Sequence, residues 1–319
     1  MRSLTVLCCA ALAASQAWAG LLIVPTFDSS ITSDPNSANI QAAINAAIAI
    51  YAADFSDPIQ INITFGEMAS GLGQSTKTIY NLSYTTFHNG LVGDATSSDD
   101  ATALANSATI SGGNNPVTGT SSIAVSTANI KALGIAGSFP SILACGSTCD
   151  GFIQLNTNIT FPGSPGTSSQ YSLQVVAEHE IDEVLGLGSS LPTPVFAGSP
   201  SPEDLFRYGS TPGARSFTTS SSALAFFSID GTVKLAQFDN QNDGGDFGDW
   251  QSNPLPGGVQ PKVQDAFATA GATPALGVEL RALDVIGYDL AVPEPATFLL
   301  FSGALAGLLG VKRATRRRV

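Results

Sequence analysis

The sequence predicts an α/β fold (α+β), and three stretches of apolar spacing carry that prediction. Between Ser37 and Ala53, apolar side chains fall at Ile40, Ala43, Ile44, Ala47, Ile48 and Tyr51, the repeat of a helix with one buried face. After Asp57-Pro58 the period changes: Ile59, Ile61, Ile63 and Phe65 alternate with Gln60, Asn62 and Thr64, as in a half-buried strand. Residues 171–188 return to helical spacing through Leu173, Val176, Ala177, Ile181, Val184 and Leu185, and Gly186 and Gly188 suit the end of that helix.

The remaining elements are weaker. Tyr80 to Phe87 reads as a strand, Asp99 to Ala108 as a helix, and Gly151 to Asn158 as an alternating strand. Pro162 to Ser169 is a Gly/Ser/Pro loop. The last third is rich in short strands and turns, and Val278 to Leu290 closes the domain as an apolar helix or helix and strand. Of the four cysteines, Cys8 and Cys9 lie in the first segment, and Cys145 and Cys149 are close enough to close a tight disulfide loop.

The two ends are addresses rather than parts of the core. Residues 1–19 have a basic start at Arg2, an apolar stretch from Leu4 to Ala14 and a small-x-small site at Ala17-Trp18-Ala19, the order of a secretory signal peptide. Residues 291–319 begin with Val292-Pro293-Glu294-Pro295. An apolar segment (296–311) and the bases Lys312, Arg313, Arg316, Arg317 and Arg318 follow. Basic residues behind an apolar segment place the preceding domain on the far side of the membrane. This tail closely resembles the PEP-CTERM sorting signal. The resemblance implies recognition by an exosortase-type enzyme, membrane contact through the C-terminal segment, and a bacterial protein that is envelope-anchored or extracellular after sorting.

Residues 20–290 therefore form the domain that must carry any activity. The chain has 13 bases and 25 acids; 7 of the bases and 24 of the acids lie between the two ends, a net charge of −17 there. Such a surface repels phosphate backbones and excludes a nucleic-acid-binding role.

The chemistry concentrates in the helix at 171–188. Opposite its apolar face run Glu178, His179, Glu180, Asp182 and Glu183, with His179-Glu180-Ile181-Asp182-Glu183 at the centre. Residues at i and i+4 share a helix face, so His179 and Glu183 are candidate ligands for one metal ion. Glu180 between them is the candidate general base. The stretch resembles the active-site helix of metzincin-like peptidases, whose longer pattern is H-E-x-x-H-x-x-G-x-x-H/D. His179, Glu180 and Gly186 match; Glu183 replaces the second histidine, and Ser189 stands at the third-ligand position.

Further segments resemble a metalloprotease group commonly found with PEP-CTERM tails. These are Asp150-Gly151, Leu205-Phe206-Arg207-Tyr208, Phe227-Ser228-Ile229-Asp230-Gly231, Gly245-Asp246-Phe247-Gly248-Asp249-Trp250 and Leu283-Asp284-Val285-Ile286-Gly287-Tyr288-Asp289. The resemblance implies a metzincin-like zinc peptidase fold with a mixed twisted sheet, an active-site helix beneath a cleft and an irregular C-terminal part. It also implies a peptide or protein substrate, paired against the strand near Gly151 to Asn158, and zinc as cofactor. A ligand set rich in oxygen leaves calcium or manganese open.

Glu203 or Asp204 is a candidate third ligand if its loop folds back. Arg207 reads as a buried partner for a carboxylate, and His88 as a surface or locally bonded histidine. Asp239-Asn240-Gln241-Asn242-Asp243-Gly244 resembles the start of an EF-hand loop, with Gln at its third position and Trp250 instead of Glu at its twelfth. A turn between strands is its simplest reading, with calcium as the alternative. The competing reading of the whole domain is a non-catalytic matrix protein that contacts exopolysaccharide or other biofilm components.

Overall fold

The computed structural model describes residues 20–163 and 169–291, so the N-terminal signal and the apolar segment 296–311 lie outside the described residues. The chain opens with strand β1 (Leu22–Phe27), the short helix α1 (Ser29–Thr32) and the long helix α2 (Ser37–Asp54). Strands β2 (Gln60–Glu67), β3 (Gly73–Lys77) and β4 (Ile79–Ser83) lead to helices α3 (Tyr84–Asp94) and α4 (Ser98–Ser107). Next come β5 (Ser122–Ser126), α5 (Thr127–Ala132), β6 (Gly151–Leu155), β7 (Thr160–Phe161) and β8 (Tyr171–Ser172). Helix α6 (Leu173–Leu185) follows, then the short strands β9 (Arg207–Tyr208), β10 (Phe226–Phe227) and β11 (Ala236–Gln237), and finally α7 (Val278–Asp284).

The main sheet has the order β1-β2-β6-β3 and is mixed. β1 and β2 run parallel with Leu22 opposite Gln60, and β2 and β6 run parallel with Ile63 opposite Gly151. β3 is antiparallel to β6, with Gly73 opposite Leu155 and Lys77 opposite Gly151. Ile61, Ile63, Phe65, Ile153 and Leu155 are buried against the helices, as the alternation requires. Among the described residues, no helix is long and apolar enough to cross a membrane.

Two expectations change here. The stretch read as one strand from Tyr80 to Phe87 ends at Ser83, whose hydroxyl caps α3 by accepting from the Thr86 amide at 3.0 Å. Tyr84, Phe87 and Leu91 are then buried at helical spacing, a pattern that a short aromatic run hides from an alternation count. β6 was expected to lie at an edge, but β2 and β3 occupy both of its sides, so the edge strand beside α6 is β3.

Helix α6 is the centre of the fold. Ser172 caps its start by accepting from the Val175 amide, and Gly186, at φ 140°, ends it with an amide bond to the Asp182 carbonyl. The Lys77 ammonium from β3 reaches the Glu183 and Leu187 carbonyls at 2.5 and 2.8 Å, so a cation satisfies acceptors that the helix end leaves free. From the other side, the Tyr51 hydroxyl of α2 donates to the Glu178 carbonyl at 2.7 Å and meets Asp182 Oδ1 at 2.8 Å.

This packing overturns the expectation of a single polar face. Glu178 and Asp182 are 1 % and 0 % exposed: Asp182 meets Tyr51 of α2, and Glu178 Oε1 accepts from Gln174 on its own helix at 2.9 Å. Cys145 and Cys149 form the expected disulfide, with Cα atoms 5.8 Å apart. At the domain's closing edge, the Leu21 amide donates to the Phe55 carbonyl and the Ala291 amide to the Asp54 carbonyl at 2.8 Å, while Leu290 bridges Phe55.

β6 lies so close to α6 that a Cβ on Gly151 would fall 2.4 Å from Val184 Cγ2. Gly151→Ala is therefore expected to cost roughly 1–3 kcal/mol through forced displacement of a packed branched side chain. Urea unfolding is the measurement, and an unchanged midpoint would show that the helix and strand are not locked together here.

Candidate metal centre

On the cleft side of α6, His179 and Glu183 stand one turn apart, with His179 Nε2 3.9 Å from Glu183 Oε1. Asp249 Oδ2, from the loop after β11, lies 3.7 Å from the same nitrogen. These residues form the one group among the described residues in which three His, Cys, Asp or Glu donor atoms lie mutually within 4.8 Å. Donors held ~2.0–2.2 Å from a tetrahedral centre sit roughly 3.3–3.6 Å apart, and the two spacings from His179 Nε2, 3.7 and 3.9 Å, exceed that by a few tenths of an ångström.

Each donor is fixed from behind. His179 Nδ1 is 3.0 Å from the Val263 carbonyl, the bond that turns Nε2 with its lone pair towards the two carboxylates when the imidazole is neutral. Glu183 Oε2 accepts from the Ser75 hydroxyl at 2.5 Å, leaving Oε1 towards His179. The buried Gln264 amide donates to Asp249 Oδ1 at 2.9 Å and lies 3.3 Å from His179 Nε2, so it bridges two of the three groups. Ser75, Val263 and Gln264 carry no recognisable sequence signal; only the folded chain places them here.

Asp249 arrives through a backbone contact. A Cβ on Gly248 would fall 2.3 Å from Gly188 Cα, so the loop lies directly on the turn that ends α6. Arg207, 1 % exposed, holds this loop by donating to the Phe247 carbonyl and, at 3.0 Å, to Asn240 Oδ1, with its guanidinium 4.4 Å from the Phe238 ring centroid. Arg207 is thus buried as expected, but its side chain hydrogen-bonds to carbonyl and amide oxygens instead of a carboxylate.

The expected third ligands have other work. Glu203 Oε2 accepts from the Gly188 amide at 2.5 Å, and Asp204 accepts from the Ser189 hydroxyl and the Ser190 and Ser201 amides. Both fix the turn after α6 and neither belongs to the cluster, nor does Ser189. His88 lies in α3 with its ring 6.1 Å from that of Tyr84, also outside the cluster. Asp249 is not among the sequence candidates: it occupies an unspecified position of the Gly-Asp-x-Gly-x-Trp segment, whose second glycine permits the approach.

The cluster opens into a cleft of about 580 Å³, walled by Gly71 to Ser75 on one side and by the 244–249 and 263–268 segments on the other, with Glu180 at its base. A cavity of about 500 Å³ around Lys234, Pro256 and Lys262 lacks any comparable donor group. Glu180 is 5 % exposed, and Gly73 makes room for it: a Cβ there would fall 2.3 Å from Glu180 Oε1.

Residues 291–318 match the PEP-CTERM protein-sorting motif. That motif marks exported proteins recognised by an exosortase and anchored in the cell envelope or released after sorting. No curated protein and no solved structure matches the chain.

The titratable groups of the cluster shift one another strongly. Burial, then the Glu183 charge, pushes the Glu180 carboxyl up to about 9, and burial, then Glu183, raises Asp249 to about 7 against the pull of His179. Burial opposes a proton on His179, but Asp249, Glu180 and Glu183 together outweigh it and raise its pKa to about 10. All three groups hold protons in the folded chain that the unfolded chain releases earlier as pH rises. Their stabilising contribution is complete at low pH and is lost as pH climbs through these folded values. Burial gives Glu178 (about 7) and Glu203 (about 8) the same sign. The chelator-treated protein is therefore expected to lose thermal stability from about pH 5 to about pH 9. Scanning calorimetry at several pH values tests this, and a melting temperature that rises over the interval would contradict the assignment of these protons.

Proposed function

We propose that this cleft is the active site of an exported metallopeptidase in which His179, Glu183 and Asp249 hold a zinc ion and Glu180 is the general base. The observation that carries the reading is the arrival of Asp249 beside the i,i+4 pair. It supplies a third protein ligand, the number that catalytic zinc sites use while keeping a position open. The donor set fits: one imidazole with its second nitrogen tied to a carbonyl, and two oriented carboxylates. One nitrogen and two oxygens also suit manganese, while calcium prefers oxygen alone.

Zinc bound there would polarise a carbonyl and lower the pKa of water. Glu180 lines the same cleft next in sequence to His179, placed to take a proton from attacking water and return it to the departing amine. Its raised pKa belongs to the metal-free chain; positive charge beside a carboxyl lowers its pKa, as His179 already does. The side of β3 away from β6 is not covered by another strand of the sheet, so its backbone is available to pair with an extended peptide running through the cleft.

The test is metal analysis by mass spectrometry on protein purified without a histidine tag, beside cleavage of casein by wild type, Glu180→Gln and Asp249→Ala. Bound zinc is expected in wild type and Glu180→Gln. Cleavage should fall ~10²–10⁴-fold in Glu180→Gln, and zinc should be lost in Asp249→Ala. Wild type with no bound metal, and with cleavage no greater than that of Glu180→Gln, would end the enzyme reading in favour of a non-catalytic matrix protein.

A further inference from the structure

The segment that delivers Asp249 begins with a second acidic group. Asp239 is 3 % exposed, and its Oδ2 has no hydrogen-bond partner although its Oδ1 accepts from the Gln241 amide at 3.0 Å. That free oxygen points at the glycine pair: a Cβ on Gly245 would fall 2.3 Å from it. The exposed Asp243 carboxyl stands beside Asp239. The chain turns through Asn242, between them, at φ 56° and through Gly244, just after Asp243, at φ 106°. Asp243 is held by the Gly245 amide at 3.2 Å and by Asn253 at 3.3 Å. Arg207 is the nearby cation, but its donors go to Ser216, Phe247 and Asn240, so no basic side chain bonds the buried oxygen.

We propose that Asp239 and Asp243 form a calcium site, separate from the His179 centre, with the carbonyl oxygens of the 241–245 turn available as further ligands. A buried carboxylate oxygen without a donor is costly, and a cation relieves that cost. Oxygen-only donors from a short acidic turn with glycine at its sixth position select a hard ion that tolerates irregular geometry. Millimolar calcium outside the cell is enough for a site with only two acidic ligands. The loop is closed by the Asp239 amide, which donates to the Asp249 carbonyl at 2.7 Å, so an ion at its start would order the residue that enters the cleft.

The experiment is flow dialysis of ⁴⁵Ca²⁺ against the chelator-stripped full chain, with melting temperature followed over the same calcium range. The variants are Asp239→Asn, Asp243→Asn and His179→Ala. Wild type and His179→Ala are expected to bind calcium with a Kd of roughly 10⁻⁴–10⁻³ M and to melt higher with calcium. Asp243→Asn, a change at an exposed position, should weaken binding at least ~10-fold, and Asp239→Asn should abolish it. The proposal is overturned if wild type binds no calcium, if Asp243→Asn binds as wild type does, or if His179→Ala alone removes the binding. Because no readout involves zinc or cleavage, the result stands apart from the peptidase reading.

Discussion

Two backbone segments meet without side chains between them at Gly188 and Gly248, and the position of the third carboxylate depends on that contact. Any side chain at 248 would strike the Gly188 backbone, so the loop would lift and take Asp249 away from His179. Both partners of the contact are braced. Glu203 bonds the Gly188 amide and Asp204 ties the following serines, while Arg207 grips the Phe247 carbonyl. Arg207, Glu203 and Asp204 thus act through the backbone, and their burial in a strongly acidic domain follows from that task.

The same economy governs helix α6, whose acidic side chains are divided between different sides. His179 and Glu183 look into the cleft, while Asp182 faces α2, where Tyr51 binds both the helix backbone and Asp182. Burial, then the Glu279 charge, pushes the Asp182 carboxyl well above the ordinary carboxylate range against the Tyr51 bond. One turn of sequence therefore divides its charges between a structural side and a chemical side.

Much of this was legible beforehand. Helix 37–54, the alternation before Phe65 and the whole of α6 follow from periodicity, because each buries a continuous face. The pair His179 and Glu183 follows from helix geometry alone. Strand β3, by contrast, is written Gly-Gln-Ser-Thr-Lys, with no apolar residue to mark it, yet it forms the cleft wall and supplies Ser75 and Lys77. The third carboxylate lies 66 residues beyond Glu183, and proximity across such a span is a property of the folded loops that spacing cannot express. Glu203 and Asp204, nearer in sequence, are diverted by the amides of the turn they stabilise.

The closing edge of the domain has a mechanical meaning. The sorting motif begins at residue 291, where the Ala291 amide is bonded to the end of α2, beside the point at which Leu21 joins the same helix end. Phe55, buried against the Tyr288 ring with centroids 5.8 Å apart, is the rivet of this corner. A load applied through the tail is received by α2 and the first strand, and α2 passes it to α6 through Tyr51. The sorting motif thus joins the domain at a corner that shares no residue with the lining of the cleft.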